Sequence, residues 1–280
     1  CICPDGAAAG AGGASAEEGP SKTKFGPRPG LVKATCHPGC RGWWHSDAMV
    51  KGGGHTWWDL DNVTRFFHGL GHDVFILSMP FCGVNWRKTA EGGRDCSNHW
   101  WFGRWEARGD RTMRYFCEPA VLTVNYAVKA LGIREVNIAG LSGGGWTTAM
   151  VAAMDPRIKA SFPIAGTISW ALRTTFRDLG EYEQICALPP YPFLEKRNDR
   201  GRAYCQACDY DCQFVLGSFE PDRYQVQILH EYDSCCFAAV GRHPEFRRFE
   251  AQIRKELMSE PGRGWFTVAV THHKTHEACE

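Results

Sequence analysis

The sequence predicts an α/β domain, a mostly parallel sheet flanked by helices, with a cap-like insertion late in the chain. Three observations predict it. Short β-rich runs alternate with stretches of helical periodicity from Leu31 onward, the signature of βαβ units. One of those runs passes through Gly140-Leu141-Ser142-Gly143-Gly144 straight into a helical stretch. The chain has 280 residues, 44% of them hydrophobic and 22% charged, which is ordinary for a globular protein and enough for one large domain with a buried core.

Residues 1–30 are rich in Gly, Ala, Ser and Pro and lack apolar periodicity. Such a segment buries too little surface to offset the entropy of ordering it, so it is expected to be a flexible tail. The domain proper is expected over 31–280. Its first strand is Leu31 to Cys36, followed by the amphipathic helix Trp57 to Leu70 and the strand Asp73 to Met79, which Pro80 closes. Val121, Val124, Ala127 and Leu131 fall at helical spacing in a helix Pro119 to Leu131 that Gly132 ends. Strand Val136 to Ala139, helix Gly144 to Met154 and strand Ala160 to Ala165 come next. Strand Tyr224 to Leu229, helix Pro244 to Met258 and strand Trp265 to Val270 complete the core. The interruption between about 170 and 222 is the expected cap.

The formal net charge is +1, so no long-range field recruits nucleic acid or an anionic membrane. No apolar run approaches the roughly 18 residues of a membrane span. A small neutral or weakly charged molecule is the expected partner; oligomeric state is left open. The 14 cysteines lean toward a secreted or periplasmic setting over a cytoplasmic one. The chain opens on Cys1 without a charged-then-apolar leader, as expected either of a processed protein or of a fragment.

The glycines around Ser142 have a physical purpose. A serine on a sharp turn at a strand end needs neighbours without Cβ atoms, so that strand and helix can approach and Oγ projects alone. The same turn sets the Gly143 N–H at a helix N-terminus, where an oxyanion is stabilised. A Gly-rich turn with a serine helix cap is the plain alternative. Nucleophilic use of Ser142 requires a carboxylate and then a histidine after later strands. Strand Tyr224 to Leu229 leads into His230-Glu231-Tyr232-Asp233, and strand Trp265 to Val270 leads into Thr271-His272-His273-Lys274-Thr275-His276. Asp233 is the candidate acid, and His272, His273 and His276 compete as base.

Elsewhere, Trp86, Trp100, Trp101 and Trp105 lie among arginines and glycines. They either wall an acyl or aryl pocket, with Trp86 and Trp146 as the candidate lining residues, or pack an insertion onto the domain. Cys205-Gln206-Ala207-Cys208 with Cys212 resembles half a zinc site but lacks a partner pair, so a disulfide or free thiols are expected and no metal. Cys235 and Cys236 are expected as packing residues, with pairing to Cys82 or Cys40 as the alternative. Glu183, in Glu181-Tyr182-Glu183-Gln184, either touches substrate or the cap, or is simply solvated.

Strand, elbow, acid and base in this order resemble the α/β-hydrolase superfamily, in particular its bacterial esterase-like and dienelactone-hydrolase-like branch. The resemblance is sharpest in Met79 to Asn85, Ile138 to Gly166 and Ile228 to Phe237. It implies Ser142, Asp233 and His273 as a triad, since His273-Lys274 aligns with the family's catalytic histidine; His276 is the second choice and His272 the third. It also places a second oxyanion donor in His37-Pro38-Gly39-Cys40. Pro38 has no N–H, so the donor is Gly39 or Cys40. The implied activity is hydrolysis of a carboxylic ester through an acyl-enzyme, with no metal or organic cofactor. An amidase or peptidase on the same fold, or a catalytically impaired binding protein, is the alternative.

Overall fold

In the computed structural model, residues 67–80, 99, 101–106, 108–173, 175, 178–180, 182–184, 205, 207–259 and 263–276 are described, together with the backbone of Gly30–Thr35. The tail, Gly39 and Cys40, most of the stretch Trp57 to Leu70, and Trp86 and Trp100 lie outside the described residues.

All six expected strands are present, each within a few residues of its expected bounds: β1 (Gly30–Thr35), β2 (Asp73–Ser78), β3 (Val136–Leu141), β4 (Ile158–Ile164), β5 (Tyr224–His230) and β6 (Trp265–Thr271). They form one sheet in the order β2-β1-β3-β4-β5-β6, and every pairing is parallel. The chain steps from β1 outward to β2, then crosses to β3 and proceeds the other way. The carboxyl ends of β1 and β3 therefore flank a topological switch point, where loops diverge and open sheets bind ligands.

The helices are α1 (Trp101–Glu106), α2 (Arg114–Lys129), α3 (Gly143–Met154), α4 (Tyr210–Gly217) and α5 (His243–Met258). Helix α2 begins five residues before the expected Pro119, which sits inside it. Burial of Phe116 and Cys117 outweighs the backbone hydrogen bond that the proline cannot donate. Helix α5, close to its expected bounds, is amphipathic, with Phe246, Phe249, Ile253 and Leu257 inward. Helix α3 is different, because it is enclosed: Trp146, Ala149, Val151 and Ala152 are all fully buried.

Two elements correct the sequence reading. Helix α4 falls within the expected cap, yet it belongs to the body of the domain. Tyr210 and Phe214 are fully buried, and Phe214 packs its ring against Phe249 and Phe266 at 5.4 and 5.6 Å. Asp209 caps the helix by accepting from the Cys212 N–H at 2.9 Å. Trp146, expected in the substrate pocket, is a core residue with no exposed surface. Its indole N–H donates to the Tyr210 hydroxyl at 3.1 Å, and its ring meets Phe116 edge-on at 5.7 Å.

Candidate active site

Ser142 stands between β3 and α3 with φ 81° and ψ −115°, a backbone conformation that a non-glycine residue adopts only when its surroundings impose it. Two hydrogen bonds clamp it. Its N–H donates to the Ile164 carbonyl at 2.8 Å, and its own carbonyl accepts from the Trp146 N–H at 2.8 Å. The glycines do what the sequence suggested. A Cβ on Gly166 would lie 2.4 Å from the Gly145 Cα, and one on Gly145 would lie 2.8 Å from the Gly166 Cα, so the first turn of α3 presses directly on the chain leaving β4. As the first residue of α3, Gly143 has no acceptor for its N–H within its own helix.

Asp233 follows β5 and His276 follows β6, on the same carboxyl edge of the sheet as Ser142. The two loops leave the sheet together: the Glu231 N–H donates to the Thr271 carbonyl at 2.8 Å and the Tyr232 N–H to the His273 carbonyl at 3.0 Å. This brings His276 Nδ1 to 2.9 and 2.8 Å from the two Asp233 carboxylate oxygens, with both side chains buried. The N–H groups of Cys235 and Cys236 donate to Asp233 Oδ1 at 2.7 and 2.9 Å. Burial pushes the Asp233 carboxyl up, but the His276 hydrogen bond and charge and the two backbone donors overcome it and hold the group below the usual carboxylate range.

The structure therefore pairs His276 with Asp233, where the family resemblance pointed to His273. His273 is buried as well, but its Nε2 meets the Thr275 hydroxyl at 2.9 Å and its ring lies 4.7 Å from that of His230. The reason is reach. The chain after β6 runs alongside Tyr232 at His273 and has turned back to the carboxylate only three residues later. His272 is exposed and binds Glu231 at 2.6 Å.

One buried pair at the elbow was only half legible. Glu183, which the sequence leaves between a substrate or cap contact and a solvated carboxylate, is almost completely buried, and its Oε2 meets His99 Nδ1 at 2.9 Å. His99 Nε2 faces the Pro80 carbonyl at 3.3 Å. Both ring nitrogens thus meet oxygen atoms, one of the carboxyl group and one of the backbone. Glu183 Oε1 lies 3.7 Å, and the Met79 Cε 3.0 Å, from where a Cβ on Gly143 would stand. The pair borders the Ser142 turn itself. No sequence signal joins His99 to Glu183, which are 84 residues apart.

Behind the site, Arg173 secures the chain between β4 and α4. Its guanidinium donates to the carbonyls of Asp178 and Leu179 at 3.1 and 2.9 Å and to the Thr167 hydroxyl at 2.8 Å, and lies 4.4 Å from the Tyr210 ring centroid. Cys208 and Cys212 are joined as a disulfide, one of the two thiol states expected there. Cys235 and Cys236 are joined to each other, not to Cys82 or Cys40.

No family model and no curated protein matches this sequence. Solved structures do match in fold. Est1E from Butyrivibrio proteoclasticus, solved with ferulic acid bound, aligns with a TM-score of 0.50 at 14% identity, over 91% of this chain and 84% of that one. TT1662 from Thermus thermophilus gives 0.50 at 13%, over 89% and 82%. The uncomplexed acylaminoacyl peptidase of Pyrococcus horikoshii gives 0.51 at 13%, over 89% of this chain and 34% of that one. The chain has the α/β-hydrolase fold.

Proposed function

We propose that the protein is a serine hydrolase that cleaves carboxylic esters through an acyl-enzyme, with Ser142 as nucleophile, His276 as base and Asp233 as its carboxylate partner. One observation carries this reading. A buried carboxylate–imidazole pair and a serine held at positive φ between a central strand and the helix after it sit on one carboxyl edge of a parallel sheet.

With its Nδ1–H donated to Asp233, the imidazole carries its lone pair on Nε2, the nitrogen that accepts the Ser142 proton. Ser142 Oγ attacks the ester carbonyl carbon, the carbonyl π electrons move onto oxygen, and His276 takes the hydroxyl proton. The Gly143 N–H stabilises that oxyanion, with Gly39 or Cys40 supplying a second donor. When the intermediate collapses, the C–O bond to the alcohol breaks and His276 returns its proton to the leaving oxygen. Water, deprotonated by His276, attacks the acyl carbon, and the acid departs as the proton passes back to Ser142. An anionic Asp233, held so by its hydrogen bonds, balances the imidazolium in both halves. The Glu183–His99 pair borders the site where substrate meets Gly143 and helps to fix the turn. The substrate is a small ester.

Initial rates on a p-nitrophenyl ester and on a peptide p-nitroanilide, for the wild type and Ser142→Ala, test this. Ester turnover that Ser142→Ala removes, with much slower anilide turnover, is expected. Faster anilide cleavage turns the reading to an amidase, and ester turnover that survives Ser142→Ala removes the nucleophile from it.

A further inference from the structure

Cys235 and Cys236 support Asp233 through their backbone N–H groups, a task that needs no sulfur. Their sulfur atoms and a ring nitrogen of His276 all lie within 4.8 Å of one another, with His276 buried and both cysteines half-buried. Two thiolates and an imidazole are the donors that soft divalent cations select. Around a tetrahedral ion with metal–sulfur bonds of about 2.3 Å and metal–nitrogen bonds of about 2.0 Å, neighbouring donors stand roughly 3.5–4 Å apart, within the observed spread. His276 also has the support a metal-bound imidazole needs, because a ring nitrogen that donates to a carboxylate fixes the tautomer and makes the other nitrogen the better donor. With the two sulfurs joined in a disulfide, neither is a thiolate. The remaining described cysteines do not reproduce this set: Cys208 and Cys212 are joined to each other, Cys205 is disulfide-bonded too, and burial pushes the Cys117 thiol up to about 12.

We infer that reduction of the Cys235–Cys236 disulfide opens a site for a soft divalent cation, zinc or cadmium, formed by both thiolates and His276, and that filling it silences hydrolysis by taking the base. The loss of hydrolysis rests on the function proposed above; the metal site does not. The reduction consumes one dithiol, which supplies two electrons and leaves as its own cyclic disulfide while Cys235 and Cys236 each gain a proton. The cation then displaces both thiol protons into solvent, and water completes the fourth position. Such a site holds the protein inactive where thiols are reduced and frees it where they are oxidised.

The test titrates cadmium into the whole chain, reduced with a dithiol and desalted. It reads the cadmium–thiolate charge-transfer absorption and p-nitrophenyl ester hydrolysis together. Reduced wild type is expected to bind one equivalent more than reduced Cys235→Ser/Cys236→Ser, in which every other thiol is equally reduced. Filling that equivalent lowers the rate at least tenfold, and a chelator restores it. Should the double variant fail to fold, Cys235→Ser and Cys236→Ser singly must each weaken the extra equivalent at least tenfold. Equal stoichiometry in reduced wild type and variants overturns the site, and an undiminished rate in the filled protein overturns the inhibition. A protein that gains the extra equivalent but never hydrolyses ester upholds the site and removes the function.

Discussion

The substitution Asp233→Asn separates charge from shape at the centre of the site. The amide oxygen it introduces can still accept the Cys235 and Cys236 N–H groups, now at 2.7 and 2.9 Å from the carboxylate, but the amide nitrogen faces His276 Nδ1. When that amide nitrogen donates to the ring nitrogen 2.8 Å away, the ring proton moves to Nε2 and the proposed base is blocked. The comparable substitution in a serine protease triad lowers turnover about 10⁴-fold, equivalent to about 5.5 kcal/mol of transition-state stabilisation. Stability falls too, because a buried charge-assisted hydrogen bond is worth about 1.5–3 kcal/mol. Its pH dependence has a definite sign. The Asp233 carboxyl is depressed in the fold, so its contribution is complete above the unfolded value of about 3.9 and is lost as pH falls through the lower folded value. Urea unfolding at pH 7 should therefore separate wild type from Asp233→Asn by about 2 kcal/mol, a gap that narrows below pH 4. Ester kinetics supply the other arm. A variant within tenfold of wild type in kcat/KM would refute the role given to Asp233.

Further substitutions probe the elbow and its border. Gly166→Ala drives a methyl to 2.4 Å from the Gly145 backbone, which has no flexible end to yield, and should cost about 3 kcal/mol in urea unfolding, the upper end for overpacking. Gly143→Ala is tight only against the Met79 methyl, at 3.0 Å, with Glu183 Oε1 at an ordinary 3.7 Å; a thioether chain can shift, so about 1 kcal/mol or less is expected by the same assay. Glu183→Gln keeps an acceptor for His99 but replaces one carboxyl oxygen of a buried hydrogen-bonded pair with an amide nitrogen. A loss of about 2 kcal/mol and slower ester turnover should follow, read by thermal unfolding and steady-state kinetics.

The sheet was legible because its evidence is local. Each strand is a β-rich run bounded by Gly, Pro or charge, and the elbow declares itself in five consecutive residues, Gly140 to Gly144. That Asp233 stands at the carboxyl edge of the sheet was legible from its place after β5. The choice among histidines was not, because it depends on how far the chain travels after β6 before turning back. Sequence spacing carries no such information when all three candidates lie within five residues, 272–276. Trp146 misled for a related reason: a tryptophan close to Ser142 in sequence points into the core when it is the fourth residue of an enclosed helix. The packing of α4 was not legible, because the burial of Tyr210 and Phe214 depends on contacts with residues as distant as Phe249 and Phe266. The Glu183–His99 pair joins two loops that share no motif, so only three-dimensional placement reveals it.

Activation of Ser142 by His276, not by His273, is the central proposal. Its most direct test is the rate at which a fluorophosphonate labels Ser142, mapped by mass spectrometry, in wild type, His276→Ala and His273→Ala. Labelling that collapses in His276→Ala and continues in His273→Ala is the predicted result; the reverse order would contradict the account.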